Sequence, residues 1–175
     1  LLAAPGRHSP WLDWAALAAA DPEVILLLPC GFRLAQTVAG LRPLTANPAR
    51  ALGVADQPST LNGRPISTRG CTALDRAYMY STAPGMFPDG QAGPHQALTK
   101  KVKLFRWGGD CYAYGLLAAG HVDLVVEASL KLYDFAALVP VIKGAGGLIT
   151  DWNGRELDMH ADGSVLAGGA PAVHR

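Results

Sequence analysis

Residues 107–127 read WGGDCYAYGLLAAGHVDLVVE, and this stretch decides the fold class. Two glycines and Asp110 precede a run rich in alanine and leucine, which predicts a helix over residues 111–119 that ends at Gly120. The apolar run that follows, residues 122–127, is typical of a strand buried on both faces. A helix followed at once by a buried strand indicates an α/β layer.

The same alternation of strands and helices runs through the rest of residues 51–175. A helix is predicted over residues 134–143, where Pro140 would cost about 3 kcal/mol or force a kink. The pair Asn62-Gly63 is a strong tight-turn signal, and residues 83–95 are predicted as a loop because they hold three prolines and three glycines. Predicted strands occupy residues 52–55, 77–82, 102–107, 148–150 and 164–167.

Residues 1–50 have a different texture. They predict a helix, a buried strand over residues 23–28, a short second helix and a linker over residues 42–50. We therefore expect two units, a helix–strand–helix segment with its linker over residues 1–50 and an α/β unit over residues 51–175. The chain begins with Leu1 and shows no basic-then-apolar leader, so we expect a fragment or a product without its natural beginning.

The composition excludes several classes of protein. Fifteen basic residues against 14 acidic ones give no electrostatic case for binding nucleic acid or a membrane surface. No apolar run approaches the roughly 20 residues of a membrane span. The three cysteines, Cys30, Cys71 and Cys111, form no CxxC pair, which favours reduced thiols in a cytoplasmic protein over a disulfide frame or a zinc site.

Three carboxylates stand where predicted strands and helices meet. Asp110 follows Gly108 and Gly109, Glu127 ends the buried strand, and Asp134 opens the next predicted helix. On local sequence alone, a helix-capping or dipole-complementing role is favoured for Asp134. Ligands of open α/β sheets collect at such edges, and Mg²⁺ together with phosphate suits carboxylates beside helix N-termini.

The motifs together resemble the inositol monophosphatase family, with most likeness to its histidinol-phosphatase branch. The resemblance covers about residues 51–175 and implies a layered α/β/α sandwich. It also implies Mg²⁺-assisted hydrolysis of a small phosphorylated metabolite and allows a homodimer, as in the family. The stretches that carry it are residues 107–127, LYDFAA at 132–137, GAGG at 144–147, DQP at 56–58 and TLNGRPI at 60–66.

The resemblance assigns roles to individual residues. It implies that Asp134 is a metal ligand, with Tyr133 in an aromatic slot. It implies that Gly108, Gly109 and Asp110 form a substrate-contacting turn and that Glu127 contacts the non-phosphate part of the substrate. Histidinol phosphate carries an ammonium group there, and two carboxylates have the right sign to receive it.

The resemblance also exposes a deficit. The family's D-P-[IVL]-D-G-T motif, which supplies further metal ligands, does not occur in the sequence; residues 21–24 read DPEV. Ser129 and Leu132 stand where the family has Gly and Pro. Residues 10–32 resemble instead a segment of cobalamin-type periplasmic substrate-binding proteins. We therefore expect little or no phosphatase activity, and the alternatives are a non-catalytic binding module or a non-functional fusion.

Overall fold

The computed structural model describes residues 51–53 and 56–174. They form a small three-stranded sheet and a five-stranded sheet with helices on both faces. The strands are β1 (Ala51–Leu52), β2 (Thr60–Leu61), β3 (Arg64–Pro65), β4 (Tyr78–Ser81), β5 (Leu104–Trp107), β6 (Leu124–Glu127), β7 (Leu148–Thr150) and β8 (Val165–Gly168). The helices are α1 (Ala92–Thr99), α2 (Cys111–Ala118), α3 (Leu132–Phe135), α4 (Leu138–Gly144) and α5 (Pro171–His174).

The larger sheet has the strand order β5-β4-β6-β8-β7. Strand β4 is parallel to both β5 and β6, with Tyr80 opposite Arg106 on one side and Val125 on the other. Strand β8 runs antiparallel between β6 and β7. The carboxyl ends of β4, β5 and β6 therefore lie at one edge of the sheet, which is where α/β folds place their ligands.

Two apolar cores cover the two faces of this sheet. Because side chains alternate along a strand, Val125 enters one core while Leu124 and Val126 enter the other. The first core packs the sheet against α2, α3 and α4, and the second packs it against α1, α5 and the loops around Cys71. The arrangement confirms the predicted α/β class with layers on both faces of a mixed sheet.

The helix predicted over residues 134–143 is two helices, α3 and α4, separated at residues 136–137. Pro140 consequently lies in the first turn of α4, where its missing N–H has no intrahelical partner to lose. The expected cost of a mid-helix proline therefore does not arise. The break also places Asp134 third in α3, which ends one residue later.

The prediction of a loop over residues 83–95 was wrong for residues 92–95, which are helical. Helix α1 begins at Ala92 and carries Pro94 in its first turn, where proline is tolerated. It buries His95 against Phe87, with ring centroids 4.0 Å apart. The many prolines and glycines thus led to the prediction of a loop where tertiary packing stabilises a helix.

The tight turn at Asn62-Gly63 is confirmed. Both residues have positive φ, 54° and 75°, as a two-residue hairpin between β2 and β3 requires. In the described part of the chain, no helix has the length and apolar character needed to cross a bilayer. The helix–strand–helix prediction for residues 1–50 lies outside the described residues.

Candidate functional site

The turn after β5 joins the sheet edge to helix α2. Gly108 and Gly109 have φ of 88° and 116°, values that glycine adopts without steric cost. The N–H of Gly108 donates to the carbonyls of Ser81 and Thr82, at 2.9 and 3.0 Å. The turn is therefore fastened to the end of β4.

Asp110 completes this turn and caps α2. Its Oδ1 accepts a hydrogen bond of 2.8 Å from the N–H of Cys111, and its side chain is exposed at the sheet edge. Its φ of 47° with ψ of −140° is a strained conformation for a residue with a side chain. The structure thus places the predicted Gly108–Asp110 turn together, with its carboxylate open to a ligand.

Glu127 lies at the carboxyl end of β6 and is only 2% exposed. The hydroxyl of Tyr114 donates to its Oε2 at 2.8 Å, and the hydroxyl of Thr82 donates to its Oε1. Burial raises the pKa of Glu127, the two hydroxyl bonds oppose that rise, and the charge of Asp110 adds to it. Glu127 is a buried carboxylate with both oxygens engaged.

Tyr114 feels the charges of all three predicted acids. It is fully enclosed in the core under α2, and burial raises its pKa well above the usual range for a tyrosine. The charges of Glu127, Asp110 and Asp134 each raise the pKa further. Glu127 therefore bonds this buried phenol directly, whereas Asp110 and Asp134 act on it through their charge, and the three acids come from different parts of the chain.

Asp134 caps the start of α3. Its Oδ2 accepts a hydrogen bond of 2.8 Å from the N–H of Lys131, while its own N–H donates to the Lys131 carbonyl at 2.8 Å. The capping role that local sequence allowed is therefore present, as expected of a carboxylate in a first helical turn. One carboxylate oxygen, Oδ1, is left for another ligand.

The described residues do not fit a site for several metal ions. Within residues 51–53 and 56–174, no group of three or more His, Cys, Asp or Glu side chains is arranged to hold a metal. Asp134 is the one acid that the resemblance assigns to Mg²⁺. Mg²⁺ takes part of its six oxygen ligands from water and substrate phosphate, so Asp134 could contribute to one ion but cannot hold several.

Sequence reasoning missed two functional-site residues, Thr82 and Tyr114. Tyr114 lies four positions after Asp110, one helical turn away, and would have been assigned to the core because it belongs to an apolar helix. Thr82 follows the last residue of β4, the sheet-edge position at which polar side chains are informative. Their common partner Glu127 is 45 and 13 residues away in sequence.

Comparison with known proteins decides the family. The sequence model of the inositol monophosphatase family matches residues 38–175, more than three quarters of the chain. The chain belongs to the inositol monophosphatase family. An inositol monophosphatase from Zymomonas mobilis is similar in structure, with a TM-score of 0.69 and 46% identity, over 71% of this chain and 51% of that one.

Two curated relatives of this inositol monophosphatase family member are phosphatases by name. The chloroplastic bifunctional phosphatase IMPL2 of Arabidopsis thaliana is 49% identical over 118 residues, or 67% of this chain and 34% of that protein. The histidinol-phosphatase of Chlorobaculum parvum is 28% identical over 111 residues, or 63% of this chain and 43% of that protein. The chain thus spans less than half the length of these relatives.

The family match begins at residue 38, inside the segment expected to form a separate unit. The seam near residue 50 and the likeness of residues 10–32 to cobalamin-type binding proteins both stay predictions.

Proposed function

We propose that residues 51–175 form the substrate-facing half of a Mg²⁺-dependent phosphomonoesterase site for histidinol phosphate or an inositol phosphate. The observation that carries the proposal is that Thr82 links the Gly108–Asp110 turn to the buried Glu127 at the carboxyl ends of parallel strands, where Asp110 adds a second negative charge. The likeness to a bifunctional phosphatase and to histidinol-phosphatases supports this substrate class.

The charges of this edge favour the cationic substrate. Histidinol phosphate presents an ammonium group on its alcohol part, and Asp110 and Glu127 are negative charges near the place where that part would lie. Inositol phosphate offers hydroxyl groups there and needs no negative charge. We therefore rank histidinol phosphate first.

We further propose that this chain alone turns over little or no substrate. Mg²⁺ supplies activated water and stabilises charge on the leaving oxygen in such chemistry. The residues described here contribute one carboxylate to that task, Asp134, and it already caps α3. Binding of substrate without turnover is the expected behaviour.

Phosphate release is the direct test. The full chain is incubated with Mg²⁺ and either histidinol phosphate or inositol phosphate, next to the Asp134→Ala variant and a sample without protein. We expect equal, background release from all three. Turnover by the wild type that Asp134→Ala abolishes would overturn the proposed inactivity.

The alternative from a different class is a non-catalytic anion-binding module. The glycine turn before α2 favours it, because one oxygen of Asp134 already caps α3 while the turn lies exposed at the sheet edge. Calorimetry with inorganic phosphate separates the two, since Mg²⁺-independent binding favours the module and Mg²⁺-dependent binding favours the phosphatase site. A non-functional fusion would show no cooperative thermal transition and no near-ultraviolet dichroism.

Three further proposals remain, the first based on the reduced cysteines and the other two on the family resemblance. We propose a cytoplasmic location, a homodimeric assembly and a small phosphorylated metabolite as the partner. Sedimentation of the full chain tests the assembly, and a monomer would exclude the homodimer.

A further inference from the structure

Glu127 is held by two hydroxyl groups that come from different elements. Tyr114 reaches it from α2, and Thr82 reaches it from the residue after β4. We propose that Tyr114 and Thr82 are positioning residues that keep the Glu127 carboxylate anionic and aimed at an ammonium-bearing ligand. The class of ligand rests on the function proposed above, whereas the ionisation of the Glu127 carboxyl does not.

The count of protons supports an anion. Each hydroxyl has a single proton to give, and both protons are directed at Glu127, one to each oxygen. An ionised carboxylate accepts both bonds. A protonated glutamate would carry its own O–H on one of those oxygens, and the hydroxyl bonded there would have to turn its proton elsewhere, which for the enclosed Tyr114 means into the core.

The surroundings of Glu127 otherwise favour the neutral acid. The side chain is buried, and desolvation is the largest cause of the rise in its pKa. The other charged groups that act on Glu127 and Tyr114 are negative: Asp110 acts on both residues, and Asp134 acts on Tyr114. The two hydroxyl bonds are the larger contributions that lower the pKa, and a bond from the backbone N–H of Thr82 lowers it further.

The backbone around the carboxylate is already fixed. The indole N–H of Trp152 donates to the Glu127 carbonyl at 3.1 Å, and the Gly108 N–H donates to the carbonyl of Thr82 at 3.0 Å. The strand end and the glycine turn are therefore held by bonds that do not involve the two hydroxyls. What Tyr114 and Thr82 add is the direction and the charge of the carboxylate.

The first experiment follows the titration of the Glu127 side-chain carboxyl by NMR in the full chain. Tyr114→Phe and Thr82→Val remove one donor each with little change of shape, and we expect Glu127 to titrate at higher pH in both variants. Tyr112→Phe is the matched control, because Tyr112 is on the same helix and 69% exposed. An unchanged Glu127 titration in both variants would overturn the inference.

The second experiment measures affinity at neutral pH by calorimetry, without turnover. We expect Tyr114→Phe and Glu127→Gln to weaken histidinol phosphate binding about tenfold and to leave inositol phosphate binding unchanged, as the loss of a bond to a charged group predicts. Equal weakening for both ligands would contradict charge recognition and point to a general structural role.

The two experiments separate the inference from the function proposed above. If histidinol phosphate fails to bind the wild type while the Glu127 titration moves in both variants, the proposed substrate is wrong and the role of Tyr114 and Thr82 is supported.

Discussion

Arg69 and Asp123 form a two-point ion pair that ties the loop after β3 to the start of β6. Asp123 is completely buried, and its Oδ1 accepts from Nε of Arg69 at 2.9 Å. Its Oδ2 accepts from the second guanidinium nitrogen and, at 2.7 Å, from the N–H of Tyr78. The guanidinium also lies 4.8 Å from the centroid of the Tyr78 ring.

Arg69→Met should destabilise the fold by about 2 to 3 kcal/mol, because it leaves a buried carboxylate without its cation. The value lies below the range for fully buried pairs because the Arg69 side chain is 43% exposed. Urea unfolding measures the change. Lys143→Met is the control, since the Lys143–Glu156 pair is exposed on both sides and should contribute at most about 0.5 kcal/mol. Equal losses in the two variants would contradict the assignment.

Burial of His95 should make the fold sensitive to acid. The ring is 4% exposed, it is bonded to Oγ of Ser81 at 2.9 Å, and burial lowers its pKa below the usual 6.5. The hydroxyl of Ser81 donates to the carbonyl of Val126 at 2.7 Å, so it accepts from Nε2–H of the neutral imidazole. The unfolded chain therefore binds a proton at a higher pH than the folded chain.

The stability contributed by neutral His95 is fully present above about pH 6.5 and declines as the pH falls toward the lower folded value. Urea unfolding between about pH 8 and about pH 5 should show this decline. His95→Gln should reduce the change of the unfolding free energy with pH. Replacing the exposed His121 by Gln should leave that change as it is in the wild type. A slope that persists in full in His95→Gln would show that another group is responsible.

Two glycines in helices should respond to alanine in opposite directions. A Cβ on Gly144 would lie 2.5 Å from the carbonyl oxygen of Gln57 and 2.5 Å from Oγ of Ser59, where a segment crosses the end of α4. Gly144→Ala should therefore cost about 2 kcal/mol or more. A Cβ on Gly115 in α2 would meet nothing within 4 Å, so Gly115→Ala should stabilise by about 0.5 to 1 kcal/mol. Thermal unfolding of both variants checks the pair, and loss of stability in Gly115→Ala would refute it.

Ser129→Gly should stabilise the turn between β6 and α3. Ser129 is exposed and has φ of 59°, a conformation that costs a residue with a side chain about 1 to 2 kcal/mol. Glycine loses more conformational entropy on folding than serine does, which offsets part of this strain. The free energy of unfolding should therefore rise by about 0.5 to 1 kcal/mol. Ser67→Gly, at an exposed position outside the left-handed region, should instead destabilise. Chemical denaturation distinguishes the two, and a loss in both would refute the strain at Ser129.

Local pattern predicted the elements that carry a clear local signal. The turn at Asn62-Gly63 follows from residues that accept positive φ, and β6 follows from the apolar residues Leu124–Val126. Helix α1 was missed because His95 and Pro94 are poor local signals, and only the aromatic packing of His95 on Phe87 explains its position. The division between α3 and α4 was missed because the apolar residues around Ala136 include no helix-ending residue such as glycine or proline.

The sequence by itself determined the α/β class, the family resemblance and the three acids of the candidate site, because strand burial and short motifs are written in neighbouring residues. Only the tertiary structure decided what surrounds those acids. It gave Glu127 two hydroxyl partners, Thr82 and Tyr114, and it gave Asp134 a capping bond at the start of α3. The reason is physical: ionisation and orientation of a buried carboxylate depend on its contacts in space, and parallel strands bring together residues that are far apart along the chain.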